Sequence, residues 1–315
     1  MRPEPSPAEP PLWLGLDAAA SGEGRCFRYR LAGLSVLADQ PLPGCGPAGV
    51  EQAAGRPGLE VEPRSGHQTF SGKASLGGRE RRLSAWWHGG RCWLEVEDGG
   101  AWGIELTQGR ACHRGSPASP TAGLGEIALG PPLLLLLAAR GIFALHASAA
   151  AVAGQLCLFL GASGAGKSTL AAAAAPGWRR LADDLVPVTL AGTRVEARLR
   201  FPQLKLGEEP LETPERLPLR GFYQLERRRG DGGIAVHRLA GSEAVATLVE
   251  HTMVGRLFPP ALLAAHLDWA AQVASAVPVY RLSYPNGLEH LGALRQALAD
   301  SLRPSSSAPH EQRAG

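Results

Sequence analysis

The chain has 315 residues, 44% hydrophobic and 19% charged, a composition that describes a folded protein long enough for two domains and a substantial core. A formal net charge of +3 is small for this length and gives no case for nucleic acid as a partner. Five scattered cysteines (Cys26, Cys45, Cys92, Cys112 and Cys157) form no C-x-x-C pair, which argues against a zinc site or a disulfide framework and for reduced thiols in a cytoplasmic protein.

Residues 1–24 read as a flexible, proline-rich lead without the charged start and apolar core of a signal peptide. Residues 25–124 read as a β-rich N-terminal domain. Strands are expected at 26–31 and 33–37, with a turn at Leu42-Pro43-Gly44, and a short strand at 59–61. A three-strand meander follows at 82–87, 91–96 and 102–106, joined at Gly89-Gly90 and Asp98-Gly99-Gly100. Trp86, Trp87, Trp93 and Trp102 cluster in it and are read as core and cross-strand pairs rather than a stacking platform. Residues 110–124 look like a linker.

A second domain is expected over 125–303. Its most apolar run, 131–139, is too short to cross a bilayer and is read as part of a buried helix over 133–142. Residues 146–152 alternate as a small-residue strand, and 156–160 form a short apolar strand. Next comes Gly-Ala-Ser-Gly-Ala-Gly-Lys-Ser, residues 161–168, which fits the phosphate-loop pattern G-x-x-x-x-G-K-[ST]. Gly161, Gly164 and Gly166 allow the tight turn that points successive N–H groups at phosphate oxygens. Ala162, Ser163 and Ala165 supply further loop backbone. Lys167 adds charge for the β- and γ-phosphates, and Ser168 offers a hydroxyl to Mg²⁺. Thr169 opens a helix expected to run to Ala175 and to stop at Pro176-Gly177.

Residues 180–188 read as one strand carrying Asp183-Asp184, and adjacent aspartates on a strand face opposite ways, so the two are expected to divide the work of holding Mg²⁺ and accepting a hydroxyl proton. The sheet continues over 194–201 and 204–206. Residues 221–225 and 234–236 flank an expected hairpin whose Arg227, Arg228 and Arg229 are read as a solvated turn rather than a site for an acidic partner. Helices are expected over 242–257 and 261–276, with a strand at 277–284. Residues 286–289 form a capping-box pattern before a last helix whose apolar face is Leu288, Leu291, Leu294, Leu298 and Leu302. The tail 304–315 is polar and read as disordered.

Three stretches, LHASAAAV ending at Val152, GASGAGKST and Gly177-Trp-Arg-Arg-Leu-Ala-Asp-Asp184, resemble the catalytic domain of bacterial HPr kinase/phosphorylase and its relatives. The resemblance covers about 128–190. It implies a mixed α/β phosphate-loop kinase domain akin to the phosphoenolpyruvate carboxykinase nucleotide-binding fold. It also implies ATP and Mg²⁺ as cofactors, Asp183 as general base for a serine hydroxyl, Asp184 with Ser168 as magnesium ligands, and His146 near the transferred phosphoryl group. The family's E-x-R-G signature is echoed only by Pro218-Leu-Arg220-Gly221, where the glutamate is absent. The layout is similar to a divergent branch in which some members phosphorylate a serine of ribosomally made peptide precursors, lasso peptides among them. The expected activity is ATP-dependent phosphorylation of a serine on a small protein or peptide, with self-association plausible by resemblance and no membrane insertion. An ATP-binding regulatory module without transfer and a small-molecule kinase are the alternatives.

Overall fold

Strand alternation dominates the first third of the chain, and the computed structural model describes it over residues 10–16, 24–53, 59–76 and 79–115; farther on it describes 123–173, 175–203, 217–228 and 233–302. Over these residues the protein is a mixed α/β chain of three sheets and few helices. The first sheet contains β1 (Leu12–Gly15), β2 (Gly24–Leu31), β3 (Leu34–Ala38), β4 (Gly49–Ala53), β5 (His67–Leu76), β6 (Arg79–His88), β7 (Arg91–Val96), β8 (Gly100–Glu105) and β9 (Arg110–His113). Its order is β4-β2-β3-β1-β9-β8-β7-β6-β5. The meander falls where alternation placed it, and Trp86 pairs across strands with Trp93. Trp87, Trp93 and Trp102 are buried, as the core reading required.

Three expectations for this region fail. Residues 12–15 are not part of a lead: all four are buried, and β1 pairs in parallel with both β3 and β9. An apolar Leu-Trp-Leu run closes the centre of the sheet, which no local turn signal announces. Residues 110–113 form β9 rather than linker, and residues 59–61 are not a strand.

The helices α1 (Leu124–Leu129) and α2 (Pro131–Ala138) follow. Every residue of α2 is buried, because a helix apolar all round has no solvent face to offer. It is the shared core element: its leucines join one hydrophobic cluster running from Leu14 and Trp102 of the first sheet to Phe143, Leu158 and Trp269. Truncating such a leucine to alanine costs about 2–5 kcal/mol. Among the described residues no helix is long and apolar enough to cross a membrane.

The remaining strands are β10 (Ile142–Leu145), β11 (Ala147–Val152), β12 (Gln155–Leu160), β13 (Trp178–Ala182), β14 (Val186–Ala191), β15 (Arg194–Ala197), β16 (Leu219–Arg228), β17 (Ala235–Leu239) and β18 (Val279–Pro285). Between them lie α3 (Lys167–Ala171), α4 (Gly241–Glu250) and α5 (Pro260–Ala276), and α6 (Leu291–Ser301) ends the described chain. A three-stranded sheet runs β10-β14-β15, and a six-stranded sheet runs β13-β11-β12-β16-β18-β17. Alternation sorts the larger sheet cleanly. Ala149, Ala151, Leu156, Leu158 and Phe222 face the central cluster, while Ala150, Val152, Cys157, Phe159 and Tyr223 face a second cluster with Leu294 and Leu298.

Several local expectations are corrected here. Residue 142 belongs to β10, not to the preceding helix, because Gly141 in the left-handed region ends that helix. Residues 180–188 are two strands in different sheets, with Asp183 and Asp184 in the bend between them. Strands β16 and β17 are not a hairpin: β18 inserts between them, parallel to β16 and antiparallel to β17. Helix α4 ends at Glu250, and a separate 3-10 turn covers Gly255–Leu257. Residues 286–289 make no capping box; a 3-10 turn, Leu288–His290, precedes α6 and leaves Leu288 74% exposed. Residues 204–206 and the tail lie outside the described residues.

His266 shows how tightly β10 and α5 are joined. It is 1% exposed among the rings of Phe143, Phe258 and Trp269. The Thr252 hydroxyl donates to the Leu248 carbonyl, so it accepts from His266 Nε2 at 2.9 Å. Burial holds the imidazole pKa down to about 4. The unfolded chain binds this proton below about pH 6.5 while the folded one does not, so stability falls as pH drops from about 6.5 to 4. The expected contribution is about 3 kcal/mol, and His266→Gln should flatten that part of a urea-denaturation pH profile.

Candidate functional site

Strand β12 ends at Leu160, and residues 161–168 wrap its tip. Gly161, Gly164 and Gly166 have φ of +146°, +79° and +95°, the region where only glycine is unstrained. Gly166 is held on a second count as well: a Cβ there would lie 2.9 Å from Tyr284 Oη. That hydroxyl donates to the Ala165 carbonyl, tying the loop to the end of β18. The helix behind the loop is shorter than expected, since α3 is only the five residues Lys167–Ala171. The loop's own N–H groups and Lys167, rather than a long helix dipole, are therefore what it offers to an anion.

Lys167 is 6% exposed. Its Nζ donates to the carbonyls of Gly161 at 2.7 Å and Ala162 at 3.0 Å, and lies 3.0 Å from His146 Nε2. An ammonium only donates, so Nε2 accepts and the His146 proton sits on Nδ1. Nδ1 faces Asp184, 3.2 Å from its carbonyl and 3.4 Å from Oδ1. His146 is held in turn by its own N–H, which donates to the His251 carbonyl at 2.8 Å. The pKa of His251 is lowered, first by burial and then by the nearby Lys167 and His146, against an opposing pull from Glu250.

Asp183 is 7% exposed, and its Oδ1 accepts from Ser168 Oγ at 2.7 Å and from the fully buried Ser148 Oγ at 2.6 Å. Its N–H donates to Gln203 Oε1 at 2.6 Å, while the Gln203 amide donates to the carbonyls of Leu185 and Phe201. Asp184 differs in every respect. Its side chain is about a third exposed, and its φ is +80°, a conformation strained for a residue with a Cβ. The structure thus brings His146, Lys167, Ser168, Asp183 and Asp184 together, but it pairs Ser168 with Asp183, not with Asp184. Among the described residues no three His, Cys, Asp or Glu side chains converge to hold a metal by themselves. The Ser168 hydroxyl and the Asp183 carboxylate are a pair of hard oxygens. Such a pair suits Mg²⁺ when phosphate and water supply the other ligands.

Two cavities flank the loop. One, of about 880 Å³, is lined by Ser163, His146, Asp183 and Asp184 together with apolar residues such as Phe70 of β5 and Met253. The other, of about 260 Å³, includes Gly166 and Thr169. The Pro218–Gly221 echo of a family signature is remote from both. Leu219 pairs with Leu156 at the start of β12, whereas Gln224 pairs with Leu160 at the loop end. Four residues of strand put it about 13 Å away.

Ser148, Gln203 and Tyr284 were not singled out by sequence, and Arg227, read there as part of a solvated turn, stands near the end of β16. Ser148 could have been: it stands two residues after His146, so the strand period brings both toward one side. Gln203 carries no signal, because only the tertiary fold returns 201–203 to the Asp183 bend. The chain matches no protein-family model, and no curated protein is significantly similar to it.

Gly166→Ala should cost about 1–2 kcal/mol from the left-handed backbone alone. Removing the Tyr284 hydroxyl in the double variant with Tyr284→Phe should recover only part of the loss, because the φ penalty persists. Chemical denaturation of the two variants checks this.

Proposed function

We propose that the protein is a Mg²⁺- and ATP-dependent kinase, related to the HPr-kinase-like proteins, that phosphorylates a serine on a small protein or peptide. The observation that carries the reading is the joining of a complete phosphate loop to two differently placed carboxylates. Asp183 is buried and locked onto Ser168; Asp184 is partly exposed on the larger cavity and oriented by His146.

This geometry supports a division of labour opposite to that implied by the resemblance. Asp183 and Ser168 would hold Mg²⁺, which when bound neutralises charge on the β- and γ-phosphates. Asp184 would accept the proton of the acceptor hydroxyl as its oxygen attacks the γ-phosphorus and the bond to the β–γ bridging oxygen breaks, releasing ADP. His146 holds Asp184 through Nδ1 and meets Lys167 through Nε2, so the base and the phosphate-binding cation are positioned by one imidazole. The 880 Å³ cavity, with its long apolar wall, accommodates a peptide segment better than it would select a small polar metabolite.

Incubation with ATP, Mg²⁺ and candidate precursor peptides, read by mass spectrometry, should yield a phosphoserine; ATP binding without any phosphorylated product would favour the regulatory module. Asp184→Asn should lower the transfer rate by about 10²–10⁴-fold with nucleotide affinity kept. Asp183→Asn should instead raise the Mg²⁺ concentration needed for half-maximal rate. The opposite pattern would restore Asp183 as the base.

A further inference from the structure

We propose that the 260 Å³ cavity between the phosphate loop and the turn leading into α6 receives the purine nucleoside end of the nucleotide. The inference rests on the phosphate-loop reading and extends it to a site that the motif itself does not define.

Position supplies the first argument. In the six-stranded sheet β12 lies between β11 and β16. Asp183 follows β13, two strands to one side of β12, while Tyr284 and Asn286 stand at the end of β18, two strands to the other. A triphosphate lying across the loop with its terminal phosphate toward Asp183 must direct its nucleoside the other way, toward β18. The cavity is there. Gly166, Thr169 and Leu170 form its loop side, and Asn286, Gly287 and Leu288 its far side.

Chemistry supplies the second. Leu288 is 74% exposed, the most exposed large hydrophobic residue among those described, and it borders this cavity. With Leu170 opposite, it offers an apolar slot for a flat base, while Asn286 and His290 place polar groups around it. Arg227 extends over the loop backbone: a Cβ on Gly166 would lie 3.5 Å from its guanidinium. Its charge stands on the nucleoside side of the loop, where an α-phosphate would lie, with Lys167 turned toward His146. Size supplies the third. About 260 Å³ falls just below the ~300–1,000 Å³ of drug-sized ligand sites, enough for a nucleoside and too little for a peptide acceptor. The Tyr284 bond to Ala165 fixes the cavity wall to the loop, so the two parts keep one geometry.

Calorimetric titration with Mg²⁺ and a non-hydrolysable ATP analogue, set beside inorganic tripolyphosphate, GTP and UTP, tests the assignment. The wild type should bind the ATP analogue at least tenfold more tightly than tripolyphosphate, and purine nucleotides more tightly than UTP. Leu288→Ala should weaken the ATP analogue fivefold or more and leave tripolyphosphate within twofold; Leu288→Asp should weaken the analogue further. Both substitutions sit on an exposed side chain and spare the core. Unchanged analogue affinity in both variants, or equal affinity for UTP or tripolyphosphate, would overturn the nucleoside site while leaving the phosphate loop standing. Failure of the wild type to bind either the analogue or tripolyphosphate would overturn both.

Discussion

The carboxylate of Asp183 is the joint on which the candidate site depends. One of its oxygens accepts from Ser148 on β11 and from Ser168 at the loop, and its backbone is held by Gln203. A carboxylate this buried is costly unless hydrogen-bonded, and hydrogen bonds to a charged group contribute about 1.5–3 kcal/mol each. The same bonds that make burial tolerable also set the loop's position against the bend after β13. Loss of the carboxylate would leave Ser148 Oγ in the core without an acceptor, so structure and chemistry are coupled at this one atom.

That joint is possible because the six-stranded sheet is apolar on both faces. Small residues on β11 and larger ones on β12 pack it between two clusters, and the loop emerges from a strand that cannot slip by one residue without exchanging the side chains that fill the two. The fully buried α2 then carries the core into the nine-stranded sheet. Trp87 Nε1 adds a polar tie, donating to the Leu257 carbonyl at 2.8 Å. Through that tie and the shared core, β5 comes to border the cavity that contains Asp184.

What could be read from the sequence had local physical causes. The phosphate loop is legible because its glycines are required by backbone geometry and its Lys-Ser by charge and hydroxyl chemistry. The meander is legible because period-two alternation and glycine turns coincide. The failures are equally specific. Strand β1 is short and has partners distant in sequence. β18 slips between β16 and β17, and nothing in residues 221–239 announces a third strand. Asp183 and Asp184 read as two positions of one strand, whereas they occupy a bend in which Asp184 takes a left-handed φ, so opposite-face reasoning could separate the two side chains but not say which one met Ser168. Leu288 fits the helical apolar period and is nevertheless exposed, because the 3-10 turn rotates it away from the face of α6.

The electrostatics of the cluster favour an anion on the loop. Lys167 and His146 are in contact, His251 is bonded to His146 through its carbonyl, and His251 has its proton affinity lowered by burial and by both neighbours. Lys167 and His146 together disfavour a proton on His251, while Glu250 opposes them. Two loop carbonyls and His146 Nε2 accept from the ammonium. A polyphosphate drawn into the loop would set full negative charge beside the ammonium that those dipoles hold. Such an anion would meet the ammonium together with the loop N–H groups that the glycine geometry turns inward.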